Sequence, residues 1–159
     1  MPEKEFVWEW ENDEVWDRNK EHVISNHCDA FNIMGGIEIG GKLPGVWGHL
    51  KNGNDRILGY GWIDLYDDGP EISIAIDDVF QTMGFGNQIL EILVDDAKSR
   101  GYTFVGATVK NTNVLARQVV DWLCKNGFSE TNFGTSVSVE LALKLFEKGQ
   151  DLNLIKRLD

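Results

Sequence analysis

The chain has 159 residues, 42% of them apolar, which is enough for one sizeable core and too short for two ordinary domains, so a single domain over 1-159 is expected. Twenty-six acidic against fifteen basic residues give a net charge of -11, which repels nucleic acid and anionic membrane surfaces and favours amine-bearing partners. No run approaches the ~20 apolar residues of a membrane span, and Met1-Pro2-Glu3-Lys4-Glu5 lacks the basic-then-apolar order of a signal peptide, so a cytoplasmic protein is expected.

Taken in chain order, Glu5 to Trp10 is apolar and partly alternating and reads as an edge strand. Asn12 or Asp13 caps a helix expected from about Glu14 into His22 and Val23. Asp29 to Gly45 carries five glycines and no readable motif. Val46 to Leu50 and Arg56 to Leu65 form a hairpin around Asn52-Gly53, and the turn Asp67-Asp68-Gly69-Pro70 leads into the strand Ile72 to Ile76. An apolar-periodic helix from Ile89 to about Arg100 ends where Gly101 supplies a left-handed cap, and Tyr102 to Val109 is again a strand. Val114 to Asn126 is a helix behind Asn113, with Leu115, Val119, Trp122 and Leu123 on one face. Ser136 to Leu145 alternates for ten residues and is expected to be the clearest strand, pairing beside Tyr102 to Val109 or with a short strand from Phe128. The tail Asp151 to Asp159 is amphipathic, free to fray or dock.

The chemistry concentrates at Gln81-Thr82-Met83-Gly84-Phe85-Gly86, a glycine-bearing turn between a strand and a helix. Amides at a helix start lack partners within the helix and sit at the positive end of its dipole, so a phosphate can approach the main chain there. A dinucleotide fingerprint requires a third glycine where Ile89 stands. A nucleotide P-loop requires Lys then Ser or Thr, where Asn87 and Gln88 stand. What remains, Gln-x-x-Gly-x-Gly after a strand, resembles the acetyl-CoA pyrophosphate loop of the GNAT superfamily of N-acetyltransferases. The flanking strand, the helix ending at Gly101, the next strand and the helix closing in Gly127-Phe128 follow the same plan, from about Arg56 to Phe128.

The resemblance implies an α/β GNAT-like acyl-CoA N-acyltransferase fold, with a mixed, mostly antiparallel central sheet flanked by helices. It implies acetyl-CoA as co-substrate and a small-molecule or protein amine as acceptor. Its cofactor residues are Ile74, Ala75 and Ile76 along the pantetheine arm, Gln81, Thr82, Met83, Gly84, Phe85, Gly86 and Asn87 at the pyrophosphate, and Asn113. Glu71 matches in placement a general base that takes the proton of the amine, with Asp64 and Asp67 as substitutes. Two departures stand out: the family's usual Tyr acid is replaced by Leu123, and the loop carries no Arg or Lys, which removes a charge-assisted hydrogen bond of roughly 1.5 to 3 kcal/mol. A GNAT-fold CoA-binding or regulatory protein without turnover is therefore the alternative.

Other groupings carry less. His22, His27, Cys28 and Asp29 are close in sequence, but His22 and His27 do not share a helical face, so no metal site is expected. Cys28 and Cys124 are expected as reduced thiols, and His49 as structural. The six tryptophans read as core, with Trp47 or Trp62 as candidates to face a cation. Edge strands at Phe6 and Val137 offer surfaces for a homodimer.

Overall fold

Residues 6–25, 38–131 and 134–159 are described by a computed structural model. Among the described residues seven strands form one sheet in the order β1-β2-β3-β4-β5-β7-β6, with four α-helices. The strands are β1 (Val7–Trp10), β2 (Val46–Lys51), β3 (Ile57–Tyr66), β4 (Gly69–Ile76), β5 (Phe104–Val109), β6 (Glu130–Thr131) and β7 (Leu152–Arg157). The helices are α1 (Arg18–Ile24), α2 (Phe85–Ser99), α3 (Ala116–Lys125) and α4 (Val139–Glu147). The β4–β5 pair is parallel, while β1–β2, β2–β3, β5–β7 and β6–β7 are antiparallel, so the expected mixed, mostly antiparallel α/β architecture is present. No helix among the described residues is long and apolar enough to cross a membrane.

The chain divides into two compact units, which share β3, β4 and α2 by chain continuity. Among the described residues the first comprises 6–25, 38–64 and 72–95. Here β1 is the sheet's edge, as its short alternating sequence predicts. The helix expected from Glu14 starts later, because residues 14–16 are extended: Leu43 N donates to Glu14 O at 2.8 Å and Trp16 N to Gly41 O at 2.8 Å. Asp17, not Asn12 or Asp13, is the cap, with its Oδ1 accepting from Lys20 N at 2.8 Å. The β2–β3 hairpin turns through Asn52, whose Oδ1 accepts from the amides of Asn54 and Arg56, and the left-handed residue is Asp55 rather than Gly53.

The second unit comprises 65–71, 96–131 and 134–159. The end of α2 closes as expected on Gly101 at φ +90°: Tyr102 N donates to Ala97 O and Gly101 N to Lys98 O. Segment 136–145 corrects the sequence expectation. It is not a strand but leads into α4, capped by the Ser138 hydroxyl, which accepts from Leu141 N at 3.2 Å. Its alternation coincides with a helical stripe, since Val139, Ala142, Leu143 and Phe146 also fall at helical spacing, and only Ala142 of these is fully buried. The strand beside β5 is instead the tail: β7 pairs Leu152 to Arg157 along the whole of β5, and Leu152, Leu154 and Ile155 are buried. Within this unit α3 packs on β5, on α4, and α4 on β7.

Candidate functional site

The cofactor loop grows out of the C-terminal end of β4. Asp77 N donates to Leu58 O of β3 at 2.9 Å, extending the sheet by one residue, and the Asp77 carboxylate then accepts from Val79 N at 3.2 Å to cap a 3-10 turn, Asp78–Phe80. Gln81 braces that turn, its side-chain amide donating to Ile76 O at 3.4 Å and Asp78 Oδ1 at 3.3 Å. Thr82 at φ +67° and Gly84 at φ +83° reverse the chain, and α2 begins at Phe85, four residues earlier than its apolar periodicity indicates. A β-branched residue in the left-handed region is strained, a feature that persists where surrounding structure demands it.

This geometry suits an anion. The helical ladder opens with Gln88 N donating to Gly84 O at 3.3 Å, so the amides of Phe85 and Gly86 precede it, and the first turn of α2 contains no acidic side chain. A methyl group placed on Gly84 meets nothing within 4 Å, so the approach to the main chain there is open. Thr82, Met83 and Asn87 are exposed, while Phe85 is buried against Phe6, with ring centroids 4.9 Å apart, and anchors the first turn. The loop itself offers a pyrophosphate backbone donors and the helix dipole, and no basic side chain. Leading to it, Ile74, Ala75 and Ile76 form the last residues of β4; Ala75 is buried and the other two are half-buried.

The remaining expected site residues belong to the second unit. Glu71 lies near the start of β4, opposite Gly106 of β5, and is half-buried. Asn113 is not the cap of α3; its Oδ1 accepts from Leu115 N at 2.9 Å within the turn before the helix. Of the substitutes for Glu71, Asp64 is half-buried, follows β3's buried stretch and belongs to the first unit, and Asp67 is exposed in the hairpin turn. Leu123 is buried in α3 and offers no proton, and neighbouring Cys124 has its thiol pushed up by burial and by Asp121, which makes it less acidic.

A second polar cluster, in the first unit, was not legible as one site. Lys20 is fully buried: its Nζ donates to Glu11 at 2.6 Å and Val15 O at 2.8 Å, lies 3.3 Å from Asp17, and faces the Trp47 and Tyr60 rings at 5.5 and 5.2 Å. Trp47 stacks on Trp62 at 4.2 Å, and both are buried. The cation at Trp47 is thus the chain's own Lys20, not an acceptor amine. His49 is structural as expected, held between Glu11 at 3.0 Å and Glu9 at 3.1 Å. Of the dismissed metal grouping, His27, Cys28 and Asp29 lie outside the described residues, as does 29–37 of the glycine-rich segment, while His22 Nε2 stands 3.4 Å from Asp77 Oδ2.

Comparison with solved structures gives likeness in fold across nearly the whole chain. A domain from Methanocaldococcus jannaschii is matched at TM-score 0.64 and 14% identity, over 98% of this chain and 100% of that one. N-acetylglutamate synthase from Neisseria gonorrhoeae, solved with coenzyme A and N-acetyl-glutamate, is matched at TM-score 0.63 and 14% identity over 96% of this chain and 35% of that one. The ribosomal-protein-S18-alanine N-acetyltransferase from Escherichia coli is matched at TM-score 0.56 and 12% identity, over 96% and 95%. No curated protein matches the sequence. The acetyltransferase (GNAT) family model matches residues 2–121, three quarters of the chain, and on that ground the chain belongs to the GNAT acetyltransferase family.

Proposed function

We propose that the chain is a single-domain N-acetyltransferase that moves the acetyl group of acetyl-CoA to a primary amine by direct attack. The observation that carries this reading is the start of α2, where a left-handed Thr82–Gly84 turn opens onto first-turn amides unopposed by any acidic side chain. The bound co-substrate supplies a thioester carbonyl. The amides of Phe85 and Gly86 hold its pyrophosphate, with Thr82, Met83, Gly84 and Asn87 around it, and the backbone of Ile74 to Ile76 offers strand-like hydrogen bonds to the pantetheine arm. Glu71 accepts the proton that the amine loses as the new N–C bond forms and the C–S bond breaks. Solvent protonates the departing thiolate, because the buried Leu123 cannot.

The acceptor is an amine, small and cationic or carried on a protein, which a net charge of -11 attracts. Of the neighbours, one acts on a protein alanine, which supports an amine carried on a protein, and another is an N-acetylglutamate synthase, whose name points to a small amine but not a cationic one. A CoA-binding protein without turnover is the second reading, favoured by Leu123. Calorimetric titration with acetyl-CoA and CoA, followed by an amine screen for thiol release, separates them. Micromolar binding with release that falls ~10²–10⁴-fold in Glu71→Gln at unchanged CoA affinity supports the enzyme and its base. Binding without release on any amine supports the second reading, and no binding at millimolar cofactor overturns both.

A further inference from the structure

The loop from Asp77 to Gln88 contains no lysine or arginine, yet a CoA molecule brings several phosphate charges to a protein of net charge -11. The structure puts one guanidinium beside that loop from elsewhere in the chain. Arg56 immediately precedes β3, next to the end of β4 because Asp77 pairs with Leu58. Its Cζ lies 4.9 Å from the centroid of the Phe80 ring, on the 3-10 turn that runs into the cofactor turn, and one terminal nitrogen is 3.7 Å from Asp77 Oδ2.

The details of that placement matter. At 3.7 Å the contact with Asp77 is an ion pair beyond hydrogen-bond length. Asp77 is itself buried and divided among Val79 N, His22 and Arg56, whereas half of the Arg56 side chain, 52%, is exposed. Arginine presents five donors in a planar fork, so a face stacked on Phe80 and one edge towards Asp77 leave donors directed to water. Two of the other cations of this unit are matched within it: Lys20 is buried on Glu11, and Lys51 is paired with Glu9 at 2.8 Å and Asp55 at 3.1 Å.

We propose that Arg56 is a phosphate ligand of the cofactor, supplying from the residue ahead of β3 the positive charge that the loop between β4 and α2 lacks. Phe80 and Asp77 hold the guanidinium at the loop, and the fork binds a phosphate oxygen through charge-assisted hydrogen bonds. This inference rests on the reading of the chain as a CoA-binding protein.

The test is calorimetric titration of the full chain with CoA at about 50 and about 200 mM salt, for the wild type, Arg56→Gln and Arg56→Lys. Arg56→Gln is expected to weaken CoA binding about tenfold to a hundredfold and to make it less salt-dependent, since one fixed charge is gone. Arg56→Lys, which keeps the charge without the fork, is expected to recover part of the loss and the wild-type salt dependence. Affinity unchanged in Arg56→Gln overturns the proposal. So does a loss with wild-type salt dependence, which marks a residue that only shapes the loop. If Arg56→Gln does not fold, Arg56→Lys decides, with salt dependence retained at weakened affinity expected and unchanged affinity overturning it. Absence of CoA binding by the wild type is a different outcome, and it is the assignment of CoA that then fails.

Discussion

The two faces of the β2–β3 pair are built on opposite principles. On one face Trp47, Trp62, His49 and Tyr60 stand opposite one another in register and are covered by α1, which drives Lys20 in among Glu11, Asp17 and the aromatic rings. On the other face the partners are glycine against glycine, Gly48 with Gly61, and Leu50 with Gly59. There α2 and the Trp8 ring come so close that a methyl on Gly61 lies 2.5 Å from Ile89 and 3.1 Å from Leu93, and one on Gly48 lies 2.2 Å from Trp8. The first face is held by a closed set of charges whose members depend on each other, the second by shape. The difference locates precision in the molecule: the helix that begins at the cofactor loop is seated by close approach to bare backbone, which tolerates no added atom.

The largest effect is expected on the ionic face. Lys20→Met keeps the length but leaves Glu11 half-buried without its ammonium, and a loss of about 3–5 kcal/mol in denaturant unfolding is expected. Adding Glu11→Gln to it removes the stranded charge and should recover a substantial part, and a single-variant loss below ~1 kcal/mol would show that this face does not rely on its charges. Next, Gly61→Ala is expected to cost ~1–3 kcal/mol through overpacking and to weaken CoA binding by displacing α2, while Gly53→Ala, which faces open space, stays within ~0.5 kcal/mol. Equal effects at the two positions would break the contrast between the faces.

The smallest effect is a pH dependence confined to the ionic face. The hydrogen bond to Glu11 raises the His49 pKa above its ordinary 6.5; burial opposes this and Glu9 adds to it. Burial pushes Glu11 up, but hydrogen bonds from His49 and Lys20 outweigh it and leave Glu11 below its ordinary 4.5, and bonds from Lys51 and His49 lower Glu9 likewise. A raised histidine contributes stability that is fully present below 6.5 and lost as the pH climbs through the folded value; lowered carboxylates contribute stability present above 4.5 and lost as the pH falls. The clamp is therefore strongest between about pH 4.5 and 6.5. Melting temperatures of the wild type and His49→Gln should differ by a few degrees near pH 5.5 and converge on the alkaline side. A gap that widens with pH would mean that His49 acts as a neutral ring.

Local patterning made most elements legible. Alternation in β1 to β5, the asparagine turn of the hairpin, the Gly101 cap and the glycine turn ahead of α2 are each decided by a few neighbouring residues, and the structure has them where those residues stand. The site was legible as a loop for the same reason. Arg56 and Asp77 were not, because their meeting depends on the pairing of β3 with β4, although an Asp-Asp pair after a strand and ahead of Val79-Phe80 is a capping signal that was open to reading.

The sequence by itself determined the family, the strand–turn–helix frame of the candidate cofactor site and the amine-favouring charge, because these reside in composition and in contiguous residues. Tertiary structure alone decided which of two compatible periodicities Ser136 to Leu145 adopts, and that the amphipathic tail, not that segment, completes the sheet beside β5. It also decided that the cation facing Trp47 is Lys20. Each of these is a competition for partners: a chain alternating at period two and striped at period 3.6 is settled by its cap and by what already fills the neighbouring strand position, and a buried charge is settled by which carboxylates the fold brings to it.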